Sequence, residues 1–244
     1  MRLHAGYMTC KGNVREENQD AVVLRIREEK KQYFCILAVC DGIGGLESGE
    51  IASEIARKTV SEWFDFISGW MDFDSMDEVV LYAHLKDLAE ECNARVREYQ
   101  SEEKICTGST MSLLMIFKKK YYIIQVGDSR VYRYNGGMLE QLTRDASVTK
   151  LKNGMLKKYL DNYLGKQEEL WFSEQAGTVE KEDIFLVCSD GFYNNLLEAD
   201  IAELEKEAGK PKQIDHVCEQ LIERMLARGE KDNITIGMVV IKDV

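Results

Sequence analysis

Short β-rich runs recur along this chain, and their spacing limits its fold more than any other feature. They are AVVLRI from Ala21, YFCILAVC from Tyr33, STMSLLMIF from Ser109, YYIIQV from Tyr121, RVYRY from Arg130, DIFLVC from Asp183 and ITIGMVVI from Ile234. Each is rich in the β-branched and aromatic residues that suit a pleated, half-buried surface. Between Ser109 and Thr143 only KKK, GDS and NGG separate the runs, which predicts hairpins and an antiparallel meander.

Three other stretches carry helical periodicity. Ile51, Ile55, Thr59, Trp63, Ile67 and Trp70 fall on one face, as do Leu81, Leu85, Leu88, Cys92, Val96 and Tyr99, and likewise Ile214, Val217, Leu221 and Met225. Pro211 suits the first turn of the third helix and Gly229 its end. Long helices interrupting antiparallel strands predict an α+β fold, with sheets covered by helices on their outer faces. There is no Ser/Gly-rich linker, low-complexity tract or repeat at which to divide the chain, so residues 1–244 read as a single domain.

Acidic residues outnumber basic ones 43 to 32, a formal charge of -11 that repels nucleic acid and anionic membrane surfaces. Part of that surplus suits a concentrated carboxylate cluster, which needs cations to neutralise it. The 7 cysteines lack CxxC spacing and mostly lie in apolar runs, as in a reduced, cytoplasmic protein. The N-terminal MRLHAGYMTCKGN has no apolar signal core, and no uncharged stretch approaches the ~18 residues of a membrane span.

Aspartates mark the ends of the apolar runs: Asp41 after YFCILAVC, Asp128 after YYIIQVG, Asp190 after DIFLVCS, Asp232 before NITIGMVVI, and Asp20 opening AVVLRI. Singly, each is explained as a turn former. Together they sit where a sheet can deliver carboxylates to one cleft, and hard cations such as Mg²⁺ and Mn²⁺ prefer those oxygens. The glycines at 42, 44, 45 and 49 do not make a dinucleotide loop, because Glu47 occupies the third glycine position of GxGxxG. They read instead as a tight turn exposing Asp41 and the carbonyl of Gly42.

In order, the chain carries RxxNQD (Arg15 to Asp20), DGIGG followed by GE and AS (Asp41 to Ser53), TGST (Thr107 to Thr110) and VGDSRVYR (Val126 to Arg133). LTRD (Leu142 to Asp145), CSDG (Cys188 to Gly191) and DNIT (Asp232 to Thr235) follow. This set resembles the metal-dependent protein serine/threonine phosphatases, PPM or type 2C, in their compact prokaryotic form. The resemblance implies two packed antiparallel β-sheets flanked by helices on both outer faces, a four-layer αββα sandwich. It implies two Mn²⁺ or Mg²⁺ ions, with Asp41 bridging them, the Gly42 carbonyl completing one site, and Asp20, Asp190 and Asp232 holding the other. Arg15 would grip the substrate phosphate, as a planar guanidinium can do with two hydrogen bonds. Asp128 would help Asp190 hold a weaker third ion, or else only cap its turn.

The implied reaction is hydrolysis of phosphoserine and phosphothreonine by direct attack of a metal-bridging water. No Cys-x5-Arg loop or GxSxG elbow offers a protein nucleophile, and His4, His84 and His216 form no ligand pair. The implied partners are phosphorylated proteins, a Ser/Thr kinase and its substrates among them, met by a monomer.

The chain departs from the family pattern at Ile43, where some relatives carry a histidine that protonates the leaving group, a task left here to water. Ala146 replaces another histidine, and the flap segment around 145–165 is short, which predicts a more open cleft with peptide selectivity set elsewhere. The alternative from another class is a catalytically impaired relative that binds phosphoproteins as a regulatory module, whose mark would be a lost metal aspartate. DFDSM at Asp72 superficially matches a haloacid-dehalogenase start but follows SGWM rather than a buried strand, and reads as a loop opening a helix.

Overall fold

The long apolar runs become strands buried on both faces. In β3 (Gln32–Asp41), Phe34, Ile36, Ala38 and Cys40 pack with two helices while Tyr33, Cys35, Leu37 and Val39 pack against a second sheet. Only a strand sandwiched between two apolar layers tolerates such a sequence. The computed structural model of the chain describes residues 1–44, 46–152, 155–197, 199–201 and 214–244. Pro211, Gly45 and part of the 145–165 segment lie outside the described residues.

One sheet has β3 next to β2 (Asp20–Glu29) and β4 (Met111–Phe117), followed by β5 (Lys120–Val126) and β10 (Ser173–Thr178), in the order β10-β5-β4-β3-β2. The other combines β1 (Arg2–Cys10), β12 (Ile234–Asp243), β11 (Ile184–Cys188), β6 (Arg130–Asn135) and β7 (Met138–Gln141), in the order β1-β12-β11-β6-β7. All pairings are antiparallel. A separate hairpin joins β8 (Ser147–Lys152) to β9 (Met155–Leu160) within the expected flap segment.

Helices α1 (Gly49–Trp70) and α2 (Glu78–Glu103) cover the outer face of the first sheet; α3 (Asp190–Tyr193) and α4 (Ile214–Ala227) cover that of the second. The architecture is therefore the four-layer αββα sandwich. Phe34, fully buried, stacks on Phe64 of α1 at 4.6 Å and meets Phe117 edge-on at 6.1 Å, contacts that add to the ~1.5–3 kcal/mol of burying an aromatic side chain. Asp77 opens α2 by accepting from the N–H groups of Val79 (2.7 Å) and Val80 (3.3 Å), so DFDSM is the loop preceding a helix. Among the described residues, no helix is long and apolar enough to cross a membrane.

Two expectations are corrected. GDS does not close a hairpin: β5 and β6 belong to different sheets, and the chain crosses the sandwich at Gly127, whose φ of 105° suits only glycine. Of the α1 stripe Ile51, Ile55, Thr59, Trp63, Ile67 and Trp70, Thr59 and Ile67 are buried and Ile55 and Trp63 pack partly against the core, but the most buried face is rotated from it. That face is Ala52, Ala56, Val60, Phe64 and Ile67, because small residues let the helix approach the sheet closely, and Ile51 and Trp70 remain exposed.

Candidate active site

Asp20 opens β2 and Asp41 closes β3, and the antiparallel register sets them opposite each other. Directly opposed residues share a face, so this hairpin brings two carboxylates to one end of the sandwich. The backbone of Asp41 is fixed from the TGST segment: Thr110 Oγ1 accepts from the Asp41 N–H (3.0 Å), while the Thr110 N–H (2.8 Å) and Ser109 Oγ (3.1 Å) donate to its carbonyl. Asp128 sits at the crossing between the sheets, Asp190 is the first residue of α3, and Asp232 immediately precedes Asn233 and β12. Gly191 allows this approach, since a Cβ there would collide with the carbonyl of Asn233.

These elements converge on a cavity of about 150 Å³ lined by Arg15, Asp41, Gly42, Asp128, Asp190 and Asp232, with Gln19, Ile43, Gly44, Thr110 and Leu160 completing its wall. Asp20 is not on that wall. It lies beneath, 8% exposed, accepting from Ser189 Oγ at 2.7 Å, while its Oδ1 is buried without a hydrogen-bond partner. Arg15 does not stand free for a phosphate; its Nη2 donates to Asp232 at 2.6 Å.

Electrostatics mark this cluster. Burial, then the charges of Asp20, Asp190, Asp128 and Asp232, push the Asp41 carboxyl well above the usual range. Burial lifts Asp20 to about 6 against hydrogen bonds from Thr235 and Ser189. The hydrogen bond to Asp232, reinforced by the pull of Asp190 and Asp41, raises Arg15. Five carboxylates thus face one guanidinium, a balance that calls for added positive charge. Among the described residues, no group of three or more His, Cys, Asp and Glu side chains is arranged to hold a metal ion as it stands. Asp232 is engaged by Arg15 and Asp20 by Ser189. The oxygen chemistry and the orphaned Asp20 Oδ1 nonetheless fit divalent cations better than any other group.

Sequence reasoning passed over the residues that assemble the site. Asn233 is buried; its Oδ1 accepts from the Gln19 N–H (2.9 Å), and its Nδ2 donates to the carbonyls of Lys11 and Glu17 (2.9 Å each). It thereby clamps the loop carrying Arg15 to the strand end carrying Asp232. Asp145 of LTRD holds Arg130 of GDSR through two hydrogen bonds (2.9 and 2.8 Å), and Arg130 lies 3.7 Å from the centre of the Tyr193 ring. Ala146 is buried, and its N–H donates to the Gly127 carbonyl.

Residues 13–233 match the family model described as Protein phosphatase 2C. The serine/threonine phosphatase stp of Listeria innocua is 25% identical over 251 residues, spanning 97% of this chain and 95% of its own length. Protein phosphatase PhpP of Streptococcus pneumoniae is 27% identical over 255 residues, spanning 97% of each. Among solved structures, the catalytic domain of the serine threonine protein phosphatase PstP, in complex with 2 manganese ions, matches with a TM-score of 0.76 at 22% identity over 99% of each chain, a likeness of fold.

Proposed function

The chain belongs to the protein phosphatase 2C family, and from that premise we propose that it hydrolyses phosphoserine and phosphothreonine esters on proteins at the carboxylate cavity. The carrying observation is the convergence of Asp41, Asp128, Asp190 and Asp232 with Arg15 in one small pocket, five acids with Asp20 against one base. Asp41, the Gly42 carbonyl, Asp190 and Asp232 would hold two Mn²⁺ or Mg²⁺ ions. Asp20 would support them from below, and Asp128 would contribute to a weaker third site. Such ions, when bound, supply Lewis acidity that polarises the phosphate and brings the pKa of water toward neutrality.

The chain's own residues orient and balance charge. Arg15 exchanges Asp232 for the incoming phosphate and meets its oxygens with a planar pair of donors, stabilising charge on the equatorial oxygens as the ester breaks. Thr110 and Ser109 hold the Asp41 backbone, which fixes where its carboxylate enters the cavity. The Thr110 hydroxyl is already engaged with the Asp41 N–H and Ser129 Oγ (2.7 Å), which leaves water rather than this side chain as the attacking group. Ile43 is apolar, so the departing alkoxide takes its proton from water.

We read residues 1–244 as one catalytic domain acting as a monomer on phosphorylated proteins, including a Ser/Thr kinase and its substrates. All 7 cysteines are free, which suits the reducing cytoplasm. Hydrolysis of p-nitrophenyl phosphate and of phosphoserine and phosphothreonine peptides with Mn²⁺, with and without chelator, tests the reading. Activity that persists in EDTA and in Asp41→Asn would overturn it.

A further inference from the structure

Beside α2, the exposed aromatics at the end of α1 stand over a groove whose base is made of core residues. Trp63, Phe66, Ile67 and Trp70 from α1 and Leu88 from α2 form the floor of a groove of about 460 Å³. Phe66 is 69% exposed and Trp70 54%, and their rings meet edge to face at 6.2 Å. Single exposed apolar residues are ordinary, but adjacent large aromatics over a groove mark an interaction surface.

Charge around the groove narrows the occupant. Glu62, Asp87 and Glu91 stand on its rim with Arg95, whose guanidinium is already shared between Glu62 (2.6 Å) and Glu91 (2.7 Å). His84 is the other rim group, its Nδ1 3.7 Å from Asp87. Helix α2 as a whole carries seven acidic residues against three Lys and Arg. An anionic membrane or nucleic acid is therefore repelled. A second copy docked through this same face would set the same carboxylates against one another, since a two-fold interface pairs a patch with itself.

We propose that this groove receives a cationic amphipathic helix of a partner protein, its leucine-like face on Phe66 and Trp70 and its lysines or arginines against Glu62 and Asp87. Helix-in-groove recognition needs just such an apolar floor with anchors spaced at helical intervals. Helix α1 starts beside the carboxylate cavity and runs 22 residues, so Trp70 lies about 30 Å along it from that end at ~1.5 Å per residue. The partner thus leaves the cavity open. Neither the groove nor its occupant depends on the chemistry read for that cavity.

Calorimetric titration of the purified chain with a synthetic amphipathic helical peptide of leucine and lysine tests this, beside the same peptide with glutamate for lysine. The lysine peptide should bind with a Kd of about micromolar order, and Phe66→Ala with Trp70→Ala should weaken it about tenfold or more. The double variant should keep wild-type hydrolysis of p-nitrophenyl phosphate and its melting temperature, because both side chains face solvent. Charge reversal by Glu62→Lys with Asp87→Lys should shift preference toward the glutamate peptide, and it serves should the aromatic variant fail to fold. Equal binding of the lysine peptide to wild type and the aromatic variant, or of both peptides to wild type, would overturn the proposal. So would a wild-type dimer in sedimentation that the aromatic substitutions dissociate.

Discussion

Asp183 and Asp20 are both carboxylates withdrawn from water, at 0% and 8% exposure, yet their surroundings differ in kind. Asp183 accepts from Arg133 Nε (2.8 Å), Asn135 Nδ2 (2.6 Å) and the Glu180 N–H (2.7 Å), so its charge and both oxygens are answered. Asp20 accepts from the Ser189 hydroxyl at 2.7 Å, keeps a buried Oδ1 without a partner and faces a second carboxylate. A buried charge with partners pins two strands together; one without them is tolerated only where something from outside completes it. The same contrast separates Asp200, held by Nη1 and Nη2 of Arg228 (2.6 and 2.8 Å), from the ring around Asp41.

The contrast can be broken most directly at Asp41. Asp41→Asn should lower kcat/KM with Mn²⁺ about a thousandfold, the several kcal/mol that bound ions supply, while melting in chelator stays unchanged or rises because repulsion is relieved. A loss of stability instead would mean that Asp41 belongs with Asp183. Asp183→Ala is the converse: urea unfolding should show about 3 kcal/mol lost, since Arg133 keeps only the exposed Glu180 at 3.5 Å, with activity per folded molecule preserved.

Mn²⁺ should stabilise the wild type by about 2.7 kcal/mol at a hundred times its Kd, and should leave Asp41→Asn nearly unmoved in the same thermal melts. Arg15→Ala should raise KM for phosphate esters about tenfold, the loss of a charge-assisted pair, and Arg15→Lys should recover only part because its ammonium lacks the planar fork. Unchanged KM in Arg15→Ala would leave this arginine as the partner of Asp232 alone.

The smallest effect is in pH dependence. Asp20, lifted by burial to about 6, binds its proton more tightly folded than unfolded, so its contribution to stability falls as pH rises from about 4 toward that value. Asp200 behaves oppositely. Burial pushes it up, but hydrogen bonds from Arg228, the Leu197 N–H and Arg224 leave it below the ordinary value, so its contribution is lost only as pH falls through its folded pKa. In chelator, melting should therefore decline between about pH 4 and about pH 6, and Asp20→Asn should flatten that decline. An equal slope in both proteins would remove Asp20 as the source.

Legibility followed burial. β3, β4, β5, β11 and β12 could be read from the chain because both their faces are apolar. β1, β7 and β10 could not, because few or none of their residues are buried, and SEQAGT in β10 alternates between exposed and half-buried residues. The ends of the α1 stripe, Ile51 and Trp70, misled because large apolar residues look like core, whereas close approach to the sheet selected Ala52 and Ala56. The aspartates were visible as strand-end residues, but Asn233, Ser189 and Asp145 gave no local sign of what they hold.

The sequence by itself determined which residues had to leave water and which carboxylates stood at strand ends, because hydrophobic period and turn chemistry are local properties of a chain. Only the tertiary structure decided that GDS crosses between sheets, that Asn233 clamps the Arg15 loop, that Arg15 rests on Asp232 and that Asp20 lies beneath the pocket. Those pairings join residues up to 222 positions apart. Such contacts depend on how two sheets stack and which strand lies beside which, and no window of sequence carries that information.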